Sequence, residues 1–441
     1  MAQTDGDRYA DVDFDELKQA ALDHLWMPYK QYNDLAEAGG PMIIVEGDGI
    51  RLKDSDGKSY IDAMGGLFLV NAGHGRTEIA QAVFDQLDSI HYANTFTYGS
   101  IPTLRLAKRL AGLAPGDLNR VFLASGGSEA VDTALKIIRQ YHVNNGEPRR
   151  TKFIARKGSY HGVSLGALSI NSSAAVHRDI WDPMLMNVKF VGNTAEEVEE
   201  LIQFEGPETI AGFITEPISV PAAMTVPPDD YWPKLREICD RYGVLLVADE
   251  VITGFGRTGK WFAMEHWNVT PDLMTFAKGV TSGYLPVGGV MVTPKVFDAF
   301  KGDKAKTFTH GYTYSGHPAG AAAALANLDI IEGQNLVENC AKVGAYLKGQ
   351  LESLKEHSMV SEVRGIGLML AVILVEDKAT NKPFPSGSAK TKKLNDELQR
   401  RGLLTRTDPA LYLAPPLSIT KDEADEVVSI IDEALTTVEQ A

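Results

Sequence analysis

LMTFAKGVTSGYLPVGG, residues 273–289, sets a single lysine, Lys278, between an apolar run and a glycine-rich loop. The run before it is continuous rather than alternating, which is the pattern of a strand covered on both faces. Lysine belongs at the surface as a rule. At the end of a buried strand it has two uses. It snorkels out to water, or it supplies an amine whose pKa burial lowers enough to make it a nucleophile. Its neighbours in the fold decide between these.

Six more runs of this kind share the middle of the chain: RVFLAS (Arg120–Ser125), KFIAR (Lys152–Arg156), VKFVG (Val188–Gly192), IAGFITEP (Ile210–Pro217), GVLLVADEV (Gly243–Val251) and VGGVMVTP (Val287–Pro294). Amphipathic stretches lie between several of them, such as SEAVDTALKIIRQYH (Ser128–His142) and DDYWPKLREICDRYG (Asp229–Gly243). Strand and helix patterns in alternation predict an α/β fold, an open and mainly parallel sheet covered by helices. The two ends of the chain differ from the middle. Gly47–Ala63 holds two short runs around the turn former DSDG, a hairpin signal. From about residue 336 the pattern is helix, strand, helix, ending in TKDEADEVVSIIDEALTTVEQ. The expected organisation is a large domain over 71–335, with a small α+β domain built from 1–70 and 336–441.

Composition narrows the partners. The 441 residues carry 43 Lys and Arg against 58 Asp and Glu, a net charge of −15. An acidic surface speaks against nucleic acid or an anionic membrane as a partner. Cys239 and Cys340 lie far apart and outside any paired-cysteine motif, so neither a disulfide framework nor a zinc site is expected. The first residues lack the basic and apolar regions of a secretory signal. Apolar runs such as LMLAVILV (Leu368–Val375) are too short to span a bilayer. A reducing, cytoplasmic location is expected.

In open α/β sheets the chemistry sits at the carboxyl ends of the strands. There the sequence places Gly126, Gly127 and Ser128, then Tyr160 and His161, then Glu216, Asp249, Glu250 and Lys278. Asp249 ends a very apolar run, and a carboxylate there needs a partner. It is either half of an ion pair or a helix cap, or it is the anion that keeps the ring nitrogen of pyridoxal phosphate protonated. SGGSEA (Ser125–Ala130) follows a strand and opens a helix, which suits an anion at backbone N–H groups. Ser128 as a plain N-cap is the alternative. Tyr160 either stacks on a flat ring or packs as an ordinary aromatic, and His161 reads as structural. GFGRTG (Gly254–Gly259) imitates a dinucleotide-binding turn. The preceding Asp249 and Glu250 would repel a pyrophosphate, and the following segment is short and interrupted by Pro271.

SGGSEA, YHG, ITEP, ADEVITGFGRTG, TFAKG and HGYTYSGHPAGAAAA stand in the order and spacing of the class III aminotransferases, and from LWMPY at Leu25 to LAPPLSIT at Leu413 the chain resembles that family. The resemblance implies fold type I and pyridoxal 5'-phosphate as cofactor. By position, it implies that Lys278 forms the Schiff base and moves protons, and that Asp249 binds the ring nitrogen. Gly127 and Ser128 would hold the phosphate. Tyr160 and Val251 would flank the ring, and Glu216 would lie nearby. Thr313 would reach the phosphate in a neighbouring subunit. A homodimer with shared sites is implied, with a tetramer built from two dimers left open.

Members similar to ornithine or 4-aminobutyrate aminotransferases carry EPIQGE and an arginine before FAPP. Here Pro221 and Tyr412 occupy those two places. Arg406, in GLLTRTDPAL, instead resembles the carboxylate-binding arginine of the ω-amino acid or amine:pyruvate aminotransferases. Phe68 and Phe96 would line the side-chain pocket together with Tyr160, Phe96 coming from the partner. The expected function is a ping-pong transaminase that moves an amino group from an amine or ω-amino acid to a keto acid, pyruvate. Its rivals are a decarboxylase or aminomutase on the same scaffold and a non-catalytic cofactor-binding relative.

Overall fold

In the computed structural model, which describes residues 9–173, 176 and 178–440, the expected hairpin forms near the amino end. Strands β1 (Ile44–Asp48), β2 (Arg51–Asp54) and β3 (Ser59–Asp62) run antiparallel. Asp54 closes the β2–β3 turn, one carboxylate oxygen accepting from the N–H groups of Asp56 and Lys58 at 3.0 and 2.9 Å. Gly57 in that turn has φ 82°, which glycine adopts without penalty.

The seven central runs all become strands: β4 (Arg120–Ala124), β5 (Lys152–Arg156), β6 (Val188–Val191), β7 (Ile210–Thr215), β8 (Leu245–Asp249), β9 (Leu273–Phe276) and β10 (Gly288–Val292). They form one sheet in the order β4-β10-β9-β8-β7-β5-β6. Only β10 runs against its neighbours. Every residue of β7, β8, β9 and β10 is buried, which is why their sequences are apolar without alternation. The helix Gly127–Asn144 turns Ala130, Val131, Ala134, Leu135 and Ile138 inward at helical spacing. Helix Tyr231–Tyr242 stops at Gly243, whose φ of 65° lets the chain turn back into β8.

The carboxyl end adds β11 (Val360–Ile366), β12 (Met369–Asp377), β13 (Lys382–Pro383), β14 (Leu403–Leu404) and β15 (Leu411–Leu413). Strand β12 carries β11 on one side and β13 and β15 elsewhere along its length. Strand β14 instead joins β3 in parallel, Leu403 opposite Ile61, so the two ends of the chain share a sheet. The last helix, Lys421–Glu439, starts with a capping box between Thr420 and Glu423. Among the described residues no helix is long and apolar enough to cross a membrane.

Because β5, β7, β8 and β9 are parallel, their carboxyl ends open on one edge. Register then brings sequence-distant groups together: Asp249 lies opposite Thr275, three residues before Lys278.

Candidate active site

Asp249 is buried at the tip of β8. Its Oδ1 accepts from the Thr275 hydroxyl at 2.9 Å and from the Val251 N–H at 3.2 Å, and its Oδ2 lies 2.6 Å from Nδ1 of His161. A carboxylate fixed on three sides holds one orientation. Lys278 follows β9 with φ 47°, a left-handed conformation that costs an ordinary residue about 1–2 kcal/mol. Its ammonium makes no hydrogen bond or ion pair among the described residues. Nζ lies 5.9 Å from the centre of the Phe68 ring. Burial pushes the Lys278 pKa down to about 8; Asp249 pulls it back up in part, and Arg406 pushes it lower. The amine is therefore far closer to its nucleophilic form at neutral pH than an exposed lysine is.

The glycines after Lys278 are needed by the chain's own packing. A Cβ on Gly279 would come 2.4 Å from Nδ2 of Asn71, and one on Gly289 would come 2.3 Å from the Phe122 carbonyl oxygen.

Gly127 opens its helix after Gly126, which is the N-cap and has no side-chain cap. The sequence offered Ser128 as that cap, but it sits inside the first turn. Its hydroxyl instead accepts from the Val163 N–H at 3.1 Å, tying the helix start to the loop after β5. A Cβ on Gly127 would meet Cγ1 of Val251 at 3.1 Å, so the glycine loop and Val251 are adjacent. Gly162, with φ 115°, passes so close that a Cβ would lie 2.4 Å from the Ser128 Oγ.

Tyr160 is half-buried; burial, Tyr29 and Asp249 push its pKa up to about 12, so its hydroxyl stays protonated. Its N–H donates to Glu216 at 3.0 Å. Glu216 also faces Arg156 at 3.4 Å. Phe68 is buried with φ 60° and packs edge-on against Tyr412, ring centres 6.3 Å apart. The Tyr412 hydroxyl donates to the Val220 carbonyl at 3.3 Å, so it ties down the segment Ser219–Met224. Arg406 is exposed, and its charge is felt at both Lys278 and Tyr412.

Two of the expected residues stand together elsewhere. Thr313 is exposed, and its carbonyl accepts from Tyr92 at 2.6 Å. Phe96 is 66% exposed, and its ring would lie 2.7 Å from a Cβ on Gly311. The GFGRTG loop packs rather than binds: Arg257 is fully buried and donates to the carbonyls of Leu368 and Pro415 and to Asn71. Glu250 is buried too, accepting from Ala263 and Met264, with burial raising its pKa to about 7.

Sequence reasoning passed over Thr275 and Arg156 and read His161 as merely structural. For Thr275 and Arg156 the signal was a polar side chain within a buried strand, which needs a partner, whereas His161 lies in the loop after β5 and carried no such signal.

The family model for aminotransferase class-III matches residues 35–435. A putrescine–pyruvate aminotransferase of Pseudomonas aeruginosa is 36% identical, covering 95% of this chain and 96% of its own. A thermostable (S)-enantioselective ω-transaminase from Thermomicrobium roseum has a crystal structure that superposes with a TM-score of 0.91 at 41% identity, over 96% of this chain and 98% of the other. An amine transaminase from an uncultivated Pseudomonas species, solved in its pyridoxal-phosphate-bound form, gives 0.89 at 38% identity, over 94% and 98%.

Proposed function

The chain belongs to the class III aminotransferases, and from that premise we propose that it moves an amino group from an amine or ω-amino acid to pyruvate in two half-reactions. The family depends on pyridoxal phosphate, and the residues present fit that group. A helix start with no side-chain cap, beside a glycine loop and the Ser128 hydroxyl, suits a phosphate dianion. A buried carboxylate on three fixed partners suits a protonated ring nitrogen. An amine with its pKa lowered to about 8 suits an aldehyde. The last observation carries the reading.

When bound, the cofactor supplies an electron sink for the pair released from the substrate Cα–H bond. Everything else falls to the chain. Lys278 would hold the cofactor through Nζ, and its neutral amine, once freed, would take the proton from the substrate Cα and hand it on. Asp249 keeps a proton on the ring nitrogen. Tyr160 and Val251 confine the ring from its two faces. Phe68, backed by Tyr412, bounds the apolar end of the pocket. Arg406, exposed and with no ion pair among the described residues, binds the carboxylate of the keto acid bidentately and swings out for a donor that lacks one. Thr313 and Phe96, on an exposed face with Tyr98 and Tyr314, act on the partner's site in a homodimer. The pyruvate-using relative supports the acceptor. The same reading divides the chain into a cofactor-binding part, 71–335, and a smaller part from 1–70 and 336–441.

Borohydride reduction of the purified protein, followed by peptide mass spectrometry, should place the cofactor's mass on Lys278. Alanine should form from pyruvate and an amine, and Lys278→Ala should abolish turnover. A Lys278→Ala variant that transaminates normally overturns the reading. Carbon dioxide release without alanine would assign the scaffold to decarboxylation instead.

A further inference from the structure

Behind the site, between β5, β7 and β8, four ionisable side chains are buried in a row. Asp249 Oδ2 lies 2.6 Å from His161 Nδ1, His161 Nε2 lies 4.0 Å from Glu216 Oε2, and Arg156 lies 3.4 Å from that same oxygen. None of the four is more than 7% exposed. Both Glu216 oxygens are engaged within the fold. Oε1 accepts from the Tyr160 N–H at 3.0 Å and faces Ser219 Oγ at 3.4 Å. His161 Nε2 is buried with no hydrogen-bond partner among the described residues.

The protonation state of His161 follows from its surroundings. Nδ1 donates to Asp249. A neutral ring would then aim its Nε2 lone pair at the Glu216 carboxylate, with no donor to satisfy that nitrogen among the described residues. An imidazolium puts an N–H there instead. It also balances the charge: with Arg156 it makes two cations for two anions, where a neutral ring leaves a buried negative charge unmatched. Burial by itself pulls the His161 pKa down, but Glu216 and Asp249 outweigh it and raise the value, against a smaller opposing effect of Arg156. Lys278, the other cation facing Asp249, makes no hydrogen bond or ion pair with it among the described residues.

We propose that Glu216 is a positioning residue that acts through His161, keeping the imidazole doubly protonated between two carboxylates so that Asp249 stays a fixed anion toward the cofactor's ring nitrogen. The inference rests on the reading of Asp249 given above. It removes Glu216 from direct contact with the cofactor and converts His161 from packing to function.

The test uses the full-length protein with its cofactor, labelled with nitrogen-15 at histidine, the His161 signals being assigned by their loss in His161→Gln. In the wild type His161 should keep both ring protons to a higher pH than an ordinary histidine does. Glu216→Gln should lower the midpoint by about 1 pH unit or more, and pyridoxal phosphate should dissociate more readily, by about tenfold. Arg156→Gln, which removes the opposing cation, should shift the midpoint upward. A merely structural role would not give opposite signs. A neutral His161 in the wild type, or a midpoint unmoved in both folded variants, overturns the proposal. Borohydride labelling of the same samples separates the two readings. Cofactor mass on Lys278 with an unmoved His161 sinks this inference alone, and cofactor mass on another lysine sinks the reading it rests on.

Discussion

Lys278 offers the most direct test of the site, because its reactivity is set by three separable causes. An ordinary lysine titrates at 10.5, and burial here brings the value to about 8. At pH 7 a pKa of 8 leaves about one amine in ten neutral, against about one in three thousand for the ordinary group, a gain of roughly 300-fold. The sign is fixed by the lowered pKa. The neutral fraction rises with pH and levels off above about 8, while exposed lysines keep gaining reactivity toward 10.5. Cofactor-free protein is pulsed with formaldehyde and cyanoborohydride at a series of pH values, and methylation of each lysine is read by peptide mass spectrometry. The Lys278 midpoint should fall near 8. Asp249→Asn removes the anion that pulls the value up, so the midpoint should drop further. Arg406→Gln removes the cation that pushes it down, so the midpoint should rise. A midpoint shared with the exposed lysines, or two variants moving it the same way, refutes the reasoning. The same linkage acts on stability: the folded chain sheds this proton earlier than the unfolded one, so Lys278 costs stability at neutral pH, and that cost fades as pH climbs from about 8 to 10.5.

Three further perturbations follow from the geometry. Gly162→Ala drives a Cβ into Ser128 at a φ of 115°, so it should cost about 1–3 kcal/mol and weaken cofactor affinity in an equilibrium titration, with normal affinity counting against the phosphate-loop assignment. Thr275→Val deletes the hydroxyl that donates to Asp249 at 2.9 Å; a loss of about 1–2 kcal/mol of cofactor binding is expected by the same titration. Phe68→Ala removes the buried ring against Tyr412 and should cost about 3–5 kcal/mol in urea denaturation while raising kcat/KM for branched amines relative to linear ones.

Much of the fold is written locally. A strand covered on both faces is apolar along nearly its whole length, so β7 to β10 announce themselves in the sequence, and KFIAR coincides with β5 from end to end. The DSDG hairpin and the Thr420 capping box are also short-range devices, readable without any neighbour. The single antiparallel member, β10, carries no such mark. Its composition matches that of a parallel strand, and its direction comes from pairing with β4 and β9.

The site divides along the same line. Sequence alone determined which residues stand at strand ends, because strand boundaries are local, and it picked out Lys278, Asp249, Glu216 and the SGG loop. It did not distinguish Ser128 from Gly126 as the cap, since that depends on where the helix begins. It read His161 as structural; the contacts of that ring with Asp249 and Glu216, 88 and 55 residues further along the chain, come only from the order of β5, β7 and β8. It argued against a dinucleotide turn at GFGRTG from Asp249, Glu250 and Pro271, but gave no sign that Arg257 is buried among carbonyls of the carboxyl-terminal segment. Residue types and strand ends are properties of short windows of chain. Protonation, orientation and the shape of the pocket come from charges and surfaces distant in sequence, and only the tertiary structure brings those within a few ångströms of one another.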